Sequence, residues 1–129
     1  MNPSKHPILI VEDEPPIRTL LARLLEGAGY ETVQASSAEA ALSEIRHRQF
    51  ALILLDLHMP GQIDGEEFLY QMRDSGHDVP IIVVSGWVDD DVADHHPDSV
   101  YAVLKKPIQN TKLIATVREA LSTDPLQDL

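Results

Sequence analysis

The sequence has no cysteine in its 129 residues, which excludes a disulfide framework and any thiolate-ligated metal. No apolar run approaches the roughly 20 residues that a membrane-crossing helix needs. The stretch from Met1 to Pro7 is too short and too polar to be a signal peptide. Membrane insertion is therefore not expected, and a cytoplasmic location is. Positive charge is scarce: 10 Lys and Arg stand against 21 Asp and Glu, a formal net charge of -11. That balance argues against a nucleic-acid-binding surface and favours basic partners, or an acidic site that takes a cation. Internal repeats and low-complexity tracts are also missing. What remains is a chain of 43% hydrophobic residues, long enough for one domain with a real core and too short for two.

The apolar residues fall into short aliphatic runs separated by amphipathic stretches. Pro7-Ile8-Leu9-Ile10-Val11, Ala51-Leu52-Ile53-Leu54-Leu55 and Ile81-Ile82-Val83-Val84 read as strands buried on both faces. Tyr30 to Ala35 alternates and reads as a half-exposed strand. Tyr101 to Leu104 reads as a short fifth strand. Helices are predicted from Pro15, from Ser36 or Ser37, after Gly65, over the acidic segment Val88 to His96, and from Asn110. Their inward faces carry Ile17, Leu20, Leu21 and Leu24, then Ala38, Ala41, Leu42 and Ile45. Phe68, Leu69 and Met72 follow, and last Leu113, Ile114, Val117 and Leu121. Five strands alternating with five helices make a (βα)5 chain of α/β class, a mainly parallel sheet covered on both sides. The core is expected over about residues 6 to 121, with a polar tail from residue 122 to 129 that frays.

In such sheets ligands bind beyond the carboxyl ends of the strands. Glu12 and Asp13 follow the first strand, Asp56 ends the third, Ser85 ends the fourth and Lys106 follows the fifth. Asp56 taken alone reads equally as a cap of the next turn. Three carboxylates together repel one another unless a cation joins them, and a donor set of hard oxygens points to Mg²⁺. A lysine and a hydroxyl opposite such a metal suit a phosphoryl group. A carboxylate can itself be the nucleophile that accepts that group. His95-His96, before Pro97, reads as a cationic helix end and not as a metal site.

Val-Glu-Asp-Glu after the first strand, Asp-Leu-His-Met-Pro-Gly from residue 56, Ser-Gly after the fourth and Lys-Lys-Pro after the fifth together resemble the receiver domain of two-component response regulators. The resemblance implies a flavodoxin-like three-layer sandwich with strand order 2-1-3-4-5. It implies Asp56 as phosphoacceptor, and Mg²⁺ held by Glu12, Asp13, Asp56 and the backbone carbonyl of His58. Ser85 and Lys106 would contact the phosphoryl group. Lys106 is chosen over Lys105 because it precedes the proline and because adjacent strand residues face opposite ways. The Lys106-Pro107 bond is expected to be cis. A histidine kinase or histidine phosphotransfer protein would supply the phosphoryl group, and a downstream protein would read the result. Trp87, close to Ser85, is expected to report that change. Val103 stands three before the lysine, where many receivers carry an aromatic residue. Tyr101 is expected on the same side of the strand as Val103, about 6.6 Å further back. Two other functions fit parts of the pattern. One is a Mg²⁺-dependent phosphohydrolase with an aspartyl-phosphate intermediate, which would want a second Asp where His58 stands. The other is a receiver-like module that is never phosphorylated.

Overall fold

The computed structural model describes residues 6–58, 64–86 and 96–122. Within them β1 (Ile8–Val11), α1 (Pro15–Gly27), β2 (Thr32–Ala35), α2 (Ala38–His47), β3 (Leu52–Asp56), α3 (Gly65–Asp74), β4 (Ile81–Ser85), β5 (Val100–Lys105) and α4 (Asn110–Ser122) follow in chain order. The five strands form one parallel sheet in the order β2-β1-β3-β4-β5. Four helices lie among the described residues. The helix expected over Val88 to His96, together with Trp87, falls on residues 87–95 and so lies outside them, His96 excepted. The loop at 59–63 and the tail at 123–129 lie outside them too.

The aliphatic runs are continuous because helices cover both faces of the sheet. Leu9, Val11, Ile53, Leu55, Ile81 and Val83 pack on one side against Ala38, Ala41, Phe68, Leu69 and Met72 of α2 and α3. Ile8, Ile10, Leu52, Leu54, Ile82 and Val84 pack on the other against α1 and α4, through Leu21, Ala22, Leu25, Leu113 and Val117. Alternate residues of a strand point to opposite faces, so a strand between two helical layers has no polar side. Each large aliphatic or aromatic side chain fully withdrawn from water contributes about 1.5–3 kcal/mol. Leu20, expected inward, is instead half exposed.

Local chemistry sets the helix ends. Pro15 and Pro16 occupy the first two positions of α1, where a missing N–H costs least. Gly27 closes α1, and Gly29, at φ 101°, supplies the left-handed turn that follows. Ser37 caps α2, its side chain accepting from the Ala40 amide at 3.0 Å. Asp64 caps α3 in the same way, accepting from the Glu67 amide at 2.8 Å. The Lys106-Pro107 bond is cis, as expected.

β5 departs from the expected geometry. Its register against β4 shifts between Ile81 and Ile82, which face Val100 and Ala102. Tyr101 is the extra residue, and the bulge reverses the alternation there. Val103 packs with the α2–α3 side, whereas Tyr101 packs with the α1–α4 side. The Tyr101 hydroxyl donates to Glu119 Oε1 on α4 at 2.9 Å. The two residues therefore do not share a face, contrary to the expected parity.

α3 starts hard against the backbone leaving β3. The Gly65 amide donates to the Leu57 carbonyl at 3.2 Å. A Cβ on Gly65 would fall 2.7 Å from Leu57 Cα and 2.9 Å from its carbonyl carbon, and backbone cannot yield as a flexible side chain can. Gly65→Ala should therefore cost about 1–3 kcal/mol of stability, a drop in Tm on the order of 5 °C or more. Thermal melts of the two proteins check this, and coincident curves would contradict the packing described.

Candidate functional site

Strand register brings the polar strand ends together. Val11 lies beside Leu55, and Asp56 beside Val84. One residue beyond Val11 is Glu12, so Glu12 and Asp56 share a row on adjacent strands. Ser85 ends β4 opposite Lys105, and Lys106 follows. Ile10, Leu54 and Leu104 all face α1 and α4, and two residues further along each strand Glu12, Asp56 and Lys106 keep that direction. Lys105 points the other way and is exposed, so strand alternation selects Lys106.

The contacts follow. The Lys106 ammonium lies 3.3 Å from Glu12 Oε1 and 3.4 Å from Asp56 Oδ2. One oxygen each from Glu12, Asp13 and Asp56 falls within 4.8 Å of the others. Glu12 is 1% exposed and Asp56 5%, whereas Asp13 is half-buried at the rim. Asp56 Oδ1 accepts from the His58 amide at 3.2 Å. Asp56 is thus both a member of the carboxylate cluster and the cap of its own turn. Ser85 is fully buried, and its carbonyl accepts from the Lys106 amide at 2.8 Å, tying the ends of β4 and β5. His58 is exposed at the mouth.

Burial, reinforced by the Asp56 charge, pushes the Glu12 carboxyl up from 4.5 to about 7. The Glu14 amide, 3.3 Å from Glu12 Oε2, and Lys106 pull it part of the way back. Burial alone would lower the Lys106 ammonium, but the Asp56 and Glu12 carboxylates outweigh it and hold the group above its ordinary value. Three carboxylates facing one ammonium leave an excess of negative charge in a poorly hydrated place. The donors are all hard oxygens, and the geometry suits a small divalent cation.

Two residues here were not legible in the sequence. Arg18 of α1 donates from Nη1 to the Glu12 carbonyl at 2.9 Å and reaches the Asp13 carbonyl at 3.5 Å. An arginine on a helix whose bonds end on backbone leaves no motif. His96, read from the sequence as a cationic helix end, is 1% exposed, and neither ring nitrogen has a hydrogen-bond partner among the described residues. Its Nε2 lies 3.6 Å from Glu66 Oε1, and the Tyr70 ring meets it edge-on at 4.7 Å.

A doubly covered parallel sheet in this order, with acidic groups and a lysine at its carboxyl end, defines a phosphoryl-switch class of α/β domain. The chain belongs to the response regulator receiver domain family, whose description matches residues 8–118. It is 36% identical over 120 residues to the nitrogen assimilation regulatory protein NtrX of Azorhizobium caulinodans, covering 92% of this chain and 26% of that protein. It is 32% identical over 117 residues to the sensor kinase CckA of Brucella abortus, covering 88% of this chain and 12% of the kinase. Among solved structures it resembles the response regulator TrrA of Thermotoga maritima in complex with Mg²⁺-BeF. There the TM-score is 0.79 and the identity 30%, over 89% of this chain and 98% of that one. The chain spans about a quarter of the length of the first curated relatives it matches. No helix among the described residues is long and apolar enough to cross a membrane.

The raised Glu12 carboxyl has a consequence for stability. The unfolded chain releases that proton near 4.5 and the folded protein near 7. Between those values the folded state holds the extra proton, so stability falls as pH rises through the window. Below it the two states match, and above it the fold bears the whole cost of a buried, ionised carboxylate. Without divalent metal, wild type should lose more stability than Glu12→Gln between about pH 5 and about pH 8. Parallel losses in chelator-treated melts would contradict the assignment.

Proposed function

We propose that the chain is a phosphorylation-controlled switch in which Asp56 accepts a phosphoryl group from a phosphohistidine. The observation that carries this reading is the Lys106 ammonium within 3.4 Å of Asp56 Oδ2 and 3.3 Å of Glu12 Oε1, beside a three-carboxylate cluster. Glu12, Asp13, Asp56 and the His58 carbonyl would hold Mg²⁺. When bound, that ion offsets the negative charge on the carboxylates and on the incoming phosphoryl oxygens.

The chain's own groups do the rest. The Asp56 carboxylate attacks phosphorus in line with the scissile bond. As the new O–P bond forms, the donor's N–P bond breaks; its electron pair returns to the imidazole, which recovers a proton from solvent. The His58 amide, already on Asp56 Oδ1, orients the carboxylate. Lys106 exchanges part of its contact with Asp56 for a phosphoryl oxygen, and the Ser85 hydroxyl donates to another. The same carboxylate thereby goes from repelling Glu12 to carrying a group that pulls Ser85 and Lys106 inward. A pre-existing equilibrium of surfaces shifts with it.

The donor is a histidine kinase or histidine phosphotransfer protein, and the reader is a downstream protein. The presence of a sensor kinase among the relatives supports the first. The excess negative charge supports the absence of direct nucleic-acid contact. Residues 1–129 form a single receiver domain, with its core over about 6 to 121. It acts in the cytoplasm and turns over no separate substrate.

Acetyl phosphate with Mg²⁺, followed by intact-mass measurement, tests the reading. One added phosphoryl group is expected, and none on Asp56→Asn. Failure to label from acetyl phosphate and from a range of histidine kinases would overturn it, as would sustained turnover of a generic phosphomonoester. Mg²⁺ should also stabilise the unphosphorylated protein. At ten times Kd it adds about 1.4 kcal/mol, a few degrees in Tm for a chain of this size. Asp13→Ala should abolish that shift, and an equal shift in the variant would place the cation elsewhere.

A further inference from the structure

The acidic pair sits on the turn between β1 and α1, and that turn lacks the usual means of holding itself. A helix N-terminus is ordinarily fastened by a side chain accepting from the second or third amide. Here Pro15 and Pro16 supply no N–H at the first two helical positions, and Glu14 at the N-cap makes no side-chain cap. The loss is useful, because amides at those positions would compete for the carboxylates that a cation needs. The Glu14 carbonyl accepts from the Arg18 amide at 2.9 Å, the ordinary first bond of the helix. The Glu12 amide is tied to the Ala35 carbonyl at 3.1 Å. The Glu14 amide is tied to the Glu12 carboxylate itself, at 3.3 Å, a bond to the very group a metal would draw away.

Arg18, one turn into α1, supplies the missing brace. Both of its bonds end on backbone oxygens, those of Glu12 and Asp13, so it grips the peptide groups and leaves the carboxylates to the site. Both contacts come from Nη1, the short one to Glu12 and the longer one to Asp13, at the end of an arm longer than that of lysine. Glu12 is almost wholly buried, so its carbonyl, deprived of Arg18, would have little water to turn to.

We propose that Arg18 is the positioning residue of the acidic pair: by bracing the carbonyls of Glu12 and Asp13 it fixes where their carboxylates meet the cation, and so sets the affinity for Mg²⁺. The inference rests on the reading that these carboxylates hold Mg²⁺. Hydrogen-bonded partners that orient metal ligands are worth roughly 10–100-fold in metal affinity. Arg18 holds backbone and not the ligand atoms, so the lower end of that range applies.

The test is direct calorimetric titration of Mg²⁺ into wild type, Arg18→Met, Arg18→Lys and Val117→Ala. Arg18→Met keeps the apolar stem and removes the donors; its Kd should rise roughly tenfold. Arg18→Lys restores a charged donor on a shorter arm and should fall between the two. Val117→Ala, in the core under α4, lowers stability without touching the turn and should bind Mg²⁺ as wild type does. In acetyl phosphate labelling, Arg18→Met should need more Mg²⁺ for half-maximal rate and regain the wild-type rate at saturation. A wild-type Kd in Arg18→Met overturns the proposal, as does an equal weakening in Val117→Ala, which would make the effect one of stability. If Arg18→Met does not fold, Arg18→Lys decides: a wild-type Kd there overturns the proposal and a weakened one upholds it. A wild type that binds no Mg²⁺ defeats the functional reading and this inference together. A wild type that binds while the arginine variants bind equally well defeats the inference alone.

Discussion

Two carboxylates, Glu12 and Asp56, are held at the ends of adjacent strands where little water reaches them, and one ammonium stands between them. The fold supplies the force that keeps this arrangement together. Parallel pairing of β1 with β3 puts the acids in one row, and the helical layers on both faces keep that row dry. Lys106 directly follows β5, which lies two strands from β3. Adjacent strands lie about 4.8 Å apart, so the gap of roughly 10 Å is bridged by the Lys106 and Asp56 side chains together with the 3.4 Å contact between them. A long side chain from that position meets the short Asp56 side chain part of the way across. The strand order thus decides which residue can neutralise the acids, and the residual negative charge decides what the site attracts.

The connections around that row solve their backbone problems largely apart from the site, although Asp56 Oδ1 and Glu12 Oε2 each also accept from a nearby amide. α3 begins at a glycine because the chain passes over Leu57 too closely for any side chain. α1 begins with two prolines, and its first turn is secured by a guanidinium and not by a cap. The end of β5 is fastened to the end of β4 through the Lys106 amide and the Ser85 carbonyl, so the lysine and the hydroxyl are positioned by one bond. In each case it is the main chain that is held, and the Lys106 ammonium stays free to face the acids.

Much of this was legible in the sequence, for physical reasons. Strands covered on both faces must be aliphatic throughout, so β1, β3 and β4 announced themselves. A polar residue at the end of such a run marks the open end of the sheet, which located Glu12, Asp56 and Ser85. Alternation separated Lys106 from Lys105. Other features depend on partners distant in the chain. The burial of His96 is decided by Glu66 and Tyr70 on α3, some thirty positions earlier. Arg18 bonds to backbone oxygens that every residue possesses. The bulge at Tyr101 involves neither glycine nor proline, so composition gave no sign of it, and a count of residues back from the lysine assigned Tyr101 to the wrong face.

That bulge also governs how segments of this chain could be exchanged with those of a relative. Aligned on the lysine, a regularly paired strand would send to the α1–α4 side every side chain that this one sends to the α2–α3 side before Ala102, and the reverse. A chimera joined after Ala102 inherits compatible faces. One joined inside the Val100–Ala102 step, taking the extra residue without the β4 register that accommodates it, exchanges the residues of its two helix-covered faces. The tyrosine, its irregular pairing and the Glu119 carboxylate that receives its hydroxyl therefore form one transferable unit, to be moved whole or left in place.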